Sequence, residues 1–429
     1  MKFRLLLSII LVLCMNFAFG QGFGTIPMDD QNQVAGGLGL TWIDDQPYTT
    51  FTIAPDVSFG KIGVGLYFQL LMDNQNNFKF RSDEYKGGAG ILRIIRYVRY
   101  GKKMDPVYVR VGSLEQAMLG HGFLVWNYNN VSNYDKRKIG MALDLDFKKA
   151  GFESFMSNFG KKELMGTRLY VRPVQFVNPD LFFLKNLRFG FTVVKDYNIP
   201  SWKVSGENED VTAYGLDVDI PVINTDVVKS FLYFDYGKIQ DFGSGKAVGI
   251  NFMMPSFAGV FGLGASFERR WLGDRFLPNF FGPMYDLHRQ LDPIGFPEDS
   301  PYSQLALAEK TTGYFGQLMG YITSKIRLIG NFQKLDDISH SGILHLEAQA
   351  PDLIPKFRLY AYYDKRNIET FKDARTLDIN SLATVEVGYM LNPFIQVSTL
   401  YRWYWIENEN GGYQPVERIE PRISFVYNF

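Results

Sequence analysis

Apolar and polar residues alternate along much of the chain, in segments of about ten residues that are separated by turn-like sequences. The last segment, 419–429, places Ile419, Ile423 and Phe425 at alternate positions, with Glu420 and Arg422 between them. Side chains on a β-strand point to opposite faces with this period, so one face is apolar and the other polar. The length matches the roughly 9–11 residues that a tilted strand needs to cross a bilayer. The same alternation also fits an amphipathic edge strand in a soluble β-protein.

Repetition of this pattern predicts an all-β chain of about 20 strands, within a range of 18–22. Counted back from the carboxyl end, long connections alternate with short ones: 407–418 is long and 392–393 is a tight turn. Two connections break the rule, because 178–186 is long for a turn and 44–47 is short for a loop. This rhythm is typical of a transmembrane antiparallel up-and-down β-barrel.

The two ends of the chain carry sequence signals. Residues 1–20 read as a secretory signal peptide, with basic Lys2 and Arg4, a short apolar core, and Ala18 and Gly20 before the expected cleavage. We therefore expect residues 21–429 to form a single barrel domain without an amino-terminal plug.

The segment that ends at Phe429 resembles the carboxyl-terminal signal of Gram-negative outer-membrane β-barrel proteins, and the whole mature chain resembles their porin-like members. The resemblance implies an outer-membrane location in a Gram-negative bacterium. It also implies that outer-membrane lipid and the barrel assembly machinery, which reads Phe429, are partners.

Composition narrows the class of partner and site. The chain has 45 basic and 45 acidic residues, which argues against nucleic acid as a partner. Aromatic residues make up 16% of the chain, as suits the aromatic girdles of membrane barrels. The single cysteine, Cys14, lies inside the signal and follows Leu13, which does not fit a lipoprotein cleavage site. We expect no disulfide, no metal site and no cofactor.

Alternation assigns ten charged residues to polar, inward faces, where we predict that they line a pore. If the basic and acidic groups oppose each other across the bore, they create a field that selects solutes by charge. Alternatively, they pair with each other and hydrate the wall. The predicted pore-lining residues are Arg93, Arg99, Arg110, Asp144, Asp146, Arg168, Arg172, Arg188, Asp217 and Asp219.

Two long connections have unusual sequences. Segment 114–136 resembles, loosely, the inward-folded constriction segments of porins, and its candidate residues are Gly120, His121, Gly122, Trp126 and Asn127. His121 is either a ligand or base, or a loop histidine whose hydrogen bonds are satisfied. Segment 272–312 is rich in aromatic residues and prolines, so it is too apolar for a simply solvated loop. It folds over or into the mouth of the barrel, or docks a partner.

These features favour a channel for passive or substrate-selective diffusion of small hydrophilic solutes. A non-conducting barrel that presents its loops to a surface partner is the alternative. A hydrophobic-substrate transporter or a barrel-embedded hydrolase that uses His121 is a weaker reading. No catalytic sequence motif is present, so we expect no enzyme. Homo-oligomer formation stays open.

Overall fold

The computed structural model describes residues 33–43, 46–73, 80–81, 94–103, 105–114, 116–130, 138–178, 181, 184–197, 199, 210–225, 227–257, 260–289, 300–322, 325–378, 380–407 and 413–428. The predicted signal peptide, Arg93 and Phe429 lie outside the described residues.

The described chain is dominated by β-strands. The first eleven are β1 (Gln33–Ile43), β2 (Gln46–Phe59), β3 (Ile62–Leu66), β4 (Phe68–Asp73), β5 (Phe80–Arg81), β6 (Ile95–Tyr100), β7 (Val107–Gly112), β8 (Gly140–Asp146), β9 (Ala150–Met156), β10 (Met165–Val171) and β11 (Arg188–Asp196). The others are β12 (Val211–Asn224), β13 (Lys229–Ile239), β14 (Ser244–Phe257), β15 (Phe261–Leu272), β16 (Thr311–Ile322), β17 (Ile326–Leu335), β18 (Gly342–Ile354), β19 (Phe357–Ile368), β20 (Ser381–Met390), β21 (Ile395–Glu407) and β22 (Tyr413–Asn428).

Helices are short and lie in the connections. They are α1 (Val174–Val177), α2 (Tyr285–His288), α3 (Pro301–Leu307), α4 (Phe371–Ala374) and a 3-10 turn at Leu184–Asn186. Among the described residues, no helix is both long and apolar enough to span a lipid bilayer.

The sheet closes on itself, because β1 pairs antiparallel with β22 as well as with β2. β3 and β4 pair with β2 in one unbroken register and act as a single strand, interrupted only at Tyr67. β5 and β6 both lie against that strand, so they share one place in the wall. Twenty positions therefore surround the barrel, every neighbouring pair is antiparallel, and neighbours in space are neighbours in sequence. The predicted all-β, up-and-down antiparallel barrel of about 20 strands is confirmed.

Burial along the strands is the reverse of that in a soluble protein. In β12, Leu216 is 53% exposed on the outer face, whereas Asp217 and Asp219 are buried on the inner face. In β22, Ile423 is 59% exposed and Glu420 only 1%. The alternation that the sequence shows therefore sorts apolar side chains outward and polar ones inward.

Connections differ between the two ends of the barrel. Most connections are short at the end of the barrel where β1 begins and β22 ends. An example is Gly60-Lys61, between β2 and β3. The exception is 172–187, which contains α1 and the 3-10 turn. Longer stretches of chain separate β7 from β8, β11 from β12 and β15 from β16, and the strand ends that they join lie at the opposite end, which we call the loop end. Most long connections thus lie at the loop end and most short ones at the other end, with the two exceptions that the sequence indicated. The prediction of a long connection over 407–418 is wrong, because β22 begins at Tyr413, and 240–243 is a further short connection at the loop end.

Candidate functional site

The interior of the barrel near the loop end is occupied by a segment between β7 and β8. We call its described residues 116–130, together with Leu114, the first inner loop. Nearly all of its side chains are buried. Backbone hydrogen bonds between Ala117 and Tyr128 close it into a narrow loop (2.8 and 2.9 Å), and Asn130 accepts from the Leu114 N–H at 2.8 Å. Burial of loop side chains inside a closed sheet means that this segment folds inward.

Two glycines allow the first inner loop to turn at its tip. Gly120 (φ +57°) and Gly122 (φ +92°) adopt the left-handed conformation that favours glycine. A Cβ atom on Gly122 would lie 2.6 Å from Cδ1 of Trp126, so the site has no room for a side chain. The loop thus depends on glycine for both backbone conformation and packing.

A second inner loop, residues 273–289, follows β15 and packs on the first. The Asn279 N–H donates to the Phe123 carbonyl (2.8 Å), and the Phe281 N–H donates to the Leu124 carbonyl (3.1 Å). Val125 and Phe281 form a parallel β-bridge. The two loops therefore form one body inside the barrel, and segment 272–312 folds into the mouth in its first half.

An apolar cluster fills the space between the inner loops and the wall. Its loop members include Leu124, Val125, Phe276 and Phe281, which are all at most 4% exposed. Inward wall residues complete it: Phe155, Val194, Val211, Ala213, Ile239, Ala247 and Leu335. The core of this molecule is thus inside the barrel at its loop end, where the sequence analysis expected a wetted bore.

Charged residues on the inner wall pair below this cluster. Arg168, which is fully buried, donates to Asp217 (2.5 and 2.8 Å) and to Glu153 (2.8 Å). Arg188 forms a hydrogen-bonded ion pair with Asp219. The sequence left opposed and paired arrangements open, and these residues are paired: the partners lie within one stretch of wall, β9 to β12, and neutralise each other locally.

His121 joins the first inner loop to the same wall. Its Nδ1 lies 3.0 Å from Asp235 Oδ1, its Nε2 contacts Asp219, and its ring stacks on Tyr233 with centroids 4.2 Å apart. Burial by itself would lower the pKa of His121. The negative charges of Asp235 and Asp219 have the larger, opposite effect, so the pKa of His121 lies well above its usual value. Both ring nitrogens are engaged, so His121 is a loop histidine whose hydrogen bonds are satisfied.

The other predicted pore-lining residues lie elsewhere on the inner wall. Arg172 pairs with Asp146 at 2.8 Å. Arg110 donates to the Ser113 carbonyl (2.8 Å), and Arg99 to Ser58 (3.0 Å). Asp144 is half-buried on β8. Their lining role stays a prediction, and Arg93 lies outside the described residues.

Charged contacts that the sequence analysis missed fix the second inner loop. Asp196, on β11, accepts from Arg289 (2.8 Å) and from the Tyr285 hydroxyl (2.8 Å). Asp286 accepts from the Tyr128 hydroxyl (2.9 Å) and pairs with Lys138 (2.8 Å). The partners are separated by about ninety residues or more, so no local sequence signal would have identified them.

One set of acidic and histidine side chains has the spacing of a metal site. Ligand atoms of His121, Asp217 and Asp219 lie within 4.8 Å of one another. Arg168 and Arg188 already engage the two carboxylates, so a cation at this position would face two guanidinium groups. The arrangement fits an ion-pair network better than a metal site.

A cavity lies beside the inner loops at the loop end, against the wall formed by β16–β19. It measures about 800 Å³ with its open mouth included. Trp126, Phe280 and Phe315 line one part, and amide side chains such as Asn279 and Asn331 line another. Trp126 also meets the His345 ring edge-on at 5.7 Å, and Asn127 lies 3.5 Å from His345 Nδ1. Of the predicted constriction residues, Trp126 therefore lines this cavity.

No protein family matches the chain, and no curated protein matches it. Among solved structures, it is similar to OccK10 (OpdN) of Pseudomonas aeruginosa, at 11% identity and a TM-score of 0.34, covering 93% of this chain and 99% of that one. It is also similar to a BenF-like porin from Pseudomonas fluorescens Pf-5, at 10% identity and a TM-score of 0.32, covering 92% of this chain and 97% of that one. CdiB from Acinetobacter baumannii is 8% identical with a TM-score of 0.29, and this chain spans 60% of the length of CdiB. All three scores lie below 0.5, so the fold is established by the chain's own strand pairing.

Proposed function

We propose that this protein is an outer-membrane channel for passive or substrate-selective diffusion of small hydrophilic solutes. The observation that carries the proposal is the inverted distribution of side chains in a closed barrel: charged groups such as Arg168 and Asp217 are inside, and residues such as Leu216 and Leu318 (57% exposed) are outside. A wall of this kind suits lipid on one side and water on the other.

Location in the outer membrane has support from both ends of the chain. A signal peptide over residues 1–20 would direct export, and a closed β-barrel leaves no unpaired strand edge in lipid. Phe429, next to the described part of β22, would be read by the barrel assembly machinery.

A second candidate function is a non-conducting barrel that presents its loops to a partner. The two inner loops and the apolar cluster around Phe281 favour it, because packed apolar side chains leave little space for water. The cavity along β16–β19 favours the channel, because it leaves open space between the inner loops and this part of the wall. Both ring nitrogens of His121 contact carboxylates, so we assign it no acid–base role in a hydrolase.

Planar-bilayer recording discriminates the two functions. We would compare the purified wild-type barrel with a variant in which residues 276–286 are replaced by a Gly-Ser linker, after checking that both are folded by their circular dichroism spectra. Stable open steps from the wild type support the channel, and larger steps from the variant place the inner loops in its path. If the wild type shows no conductance and the variant conducts, the result supports the non-conducting barrel. If neither protein conducts, the result contradicts the channel.

A further inference from the structure

The cavity at the loop end has a division of chemistry that the channel proposal does not use. Trp126, Phe280 and Phe315 form an aromatic part, in which Trp126 and Phe315 meet edge-on with centroids 5.9 Å apart. All three side chains are at most 8% exposed, so the surrounding packing fixes their positions. Apolar walls with a small number of oriented polar groups are typical of small-molecule sites.

Two amide atoms, on residues that line the same cavity, have no hydrogen-bond partner within the described protein. They are Nδ2 of Asn331, on β17, and the side-chain oxygen of Asn279, in the second inner loop. Asn331 is only 5% exposed. A buried amide without a partner is costly, and both residues line the cavity, so they offer one donor and one acceptor to a ligand that reaches them.

The charged residues that line the cavity already have protein partners. Asp364 accepts from His345 (2.9 Å), and Lys365 pairs with Asp378. Arg366 donates to Nδ1 of His288 at 2.8 Å. Burial and the nearby Arg366 lower the pKa of His288 to about 3, so this imidazole is neutral and accepts the hydrogen bond. Asp364 Oδ2 has no hydrogen-bond partner within the described residues. The groups left for a ligand are therefore two amide atoms, this carboxylate oxygen and aromatic faces, and the carboxylate favours a ligand that donates hydrogen bonds and carries no negative charge.

From these features we infer that the cavity binds a neutral saccharide. A sugar hydroxyl both donates and accepts, so adjacent hydroxyls satisfy Asn331 and Asn279 together, and the C–H face of the ring packs on an aromatic side chain. A role in substrate selection rests on the proposed channel function. Binding itself does not, because a silent barrel would still bind and an open one would still conduct without it.

Isothermal titration calorimetry of the folded barrel in detergent tests the inference. The probes are maltose, methyl β-glucoside and N-acetylglucosamine, with benzoate and glycylglycine as a charged and an amide competitor. We expect saturable binding of at least one sugar with a Kd near ~1 mM or tighter. Replacing Asn331 by Ala removes the donor, and we expect binding to weaken about tenfold.

A matched control and a second variant separate loss of the site from loss of the fold. Asn251 is an inward amide on β14 that is 2% exposed and lies outside the cavity lining, so Asn251→Ala should leave sugar binding unchanged. Asn279→Gly removes the acceptor and keeps the positive φ of this residue (54°) accessible. Three results would overturn the inference. They are the absence of a saturable sugar signal up to ~50 mM, tighter binding of benzoate or glycylglycine than of the sugars, and equal losses of sugar binding in Asn331→Ala and Asn251→Ala.

Discussion

Arg168 shows how single charges are accommodated inside this barrel. It is fully buried and lies between Glu153 and Asp217, with its guanidinium over the Tyr170 ring at 4.9 Å. Removing one member of a buried ion pair leaves the other charge uncompensated, which costs more than the pair contributes. The charges of this network therefore act first on stability and on the position of the first inner loop.

Replacing Arg168 by Met should lower the free energy of unfolding by about 3–5 kcal/mol, because Glu153 and Asp217 would remain buried without their partner. Denaturant-induced unfolding from lipid vesicles measures the change. Arg375→Met is the control, because Arg375 is exposed beside α4. Equal stability of the two variants would contradict a structural role for the Arg168 network.

The stability of the first inner loop should depend on pH through His121. Its pKa is raised in the folded protein by Asp235 and Asp219, beyond the opposing effect of burial. The stabilisation is therefore complete below the unfolded value of 6.5 and is lost as pH rises through the higher folded pKa. Hydrogen exchange of the loop amides at pH 6 and at alkaline pH measures the loss of protection.

His121→Gln should remove this pH dependence of protection. The matched control is His340→Gln, because His340 is exposed in the connection between β17 and β18. Protection factors that stay independent of pH in the wild type, or that vary equally with pH in both variants, would show that His121 does not hold the loop.

Alternation predicted the face of each wall residue and little about its partner. The inward positions of Arg168, Arg188 and Asp217 follow from their place in the period of two. Partners depend on strand register, which turn lengths set and which a single sequence specifies poorly. The sequence therefore left opposed and paired arrangements open, and the register places Arg188 directly across from Asp219.

The conformation of the first inner loop depends on Gly122. Gly122→Ala should destabilise it through both its positive φ and the contact of 2.6 Å with Trp126. Gly60→Ala is a matched control, because Gly60 also has a positive φ (58°) but no atom within 4 Å of the added Cβ. Limited proteolysis should cleave the loop faster in Gly122→Ala than in Gly60→Ala, and equal rates would contradict this packing.

Sequence reasoning recognised one inner loop and not the fate of the other. The glycines on either side of His121 permit a tight turn, and segment 114–136 loosely resembles inward-folded constriction segments. In 272–312, aromatic and proline content showed only that the segment is not simply solvated. Its docking depends on contacts such as Tyr285 with Asp196, which are 89 residues apart and leave no periodic signal.

The apolar outer surface of the barrel should make the stability of the whole protein sensitive to charged substitutions there. Leu216→Arg and Leu318→Arg should each destabilise the barrel in lipid by about 2–4 kcal/mol if the positions lie near the bilayer midplane, because a charge there loses its hydration. Leu307 is 68% exposed on α3, outside the wall, so Leu307→Arg is the control and should be close to neutral. Unfolding from vesicles measures all three, and three equal costs would argue against a lipid-facing wall.

The architecture was the most predictable property of this chain. Twenty wall positions, antiparallel neighbours and alternating connections all follow from a period of two repeated over the sequence. The filled interior was not predictable in the same way. Residues such as Leu124 and Phe281 lie in connections, where no period links a residue to the wall that it contacts.

Cysteine scanning of β12 in lipid vesicles tests the central claim of an apolar, lipid-facing outer wall around a buried interior most directly. Cys14 is the only native cysteine and lies in the predicted signal, so each spin label would occupy one site. Labels at Tyr214, Leu216 and Ile220 should be accessible to lipid-soluble oxygen, and labels at Ala213 and Asp217 should not. Accessibility with the opposite phase, or equal exposure of both faces to a water-soluble relaxation agent, would contradict the account.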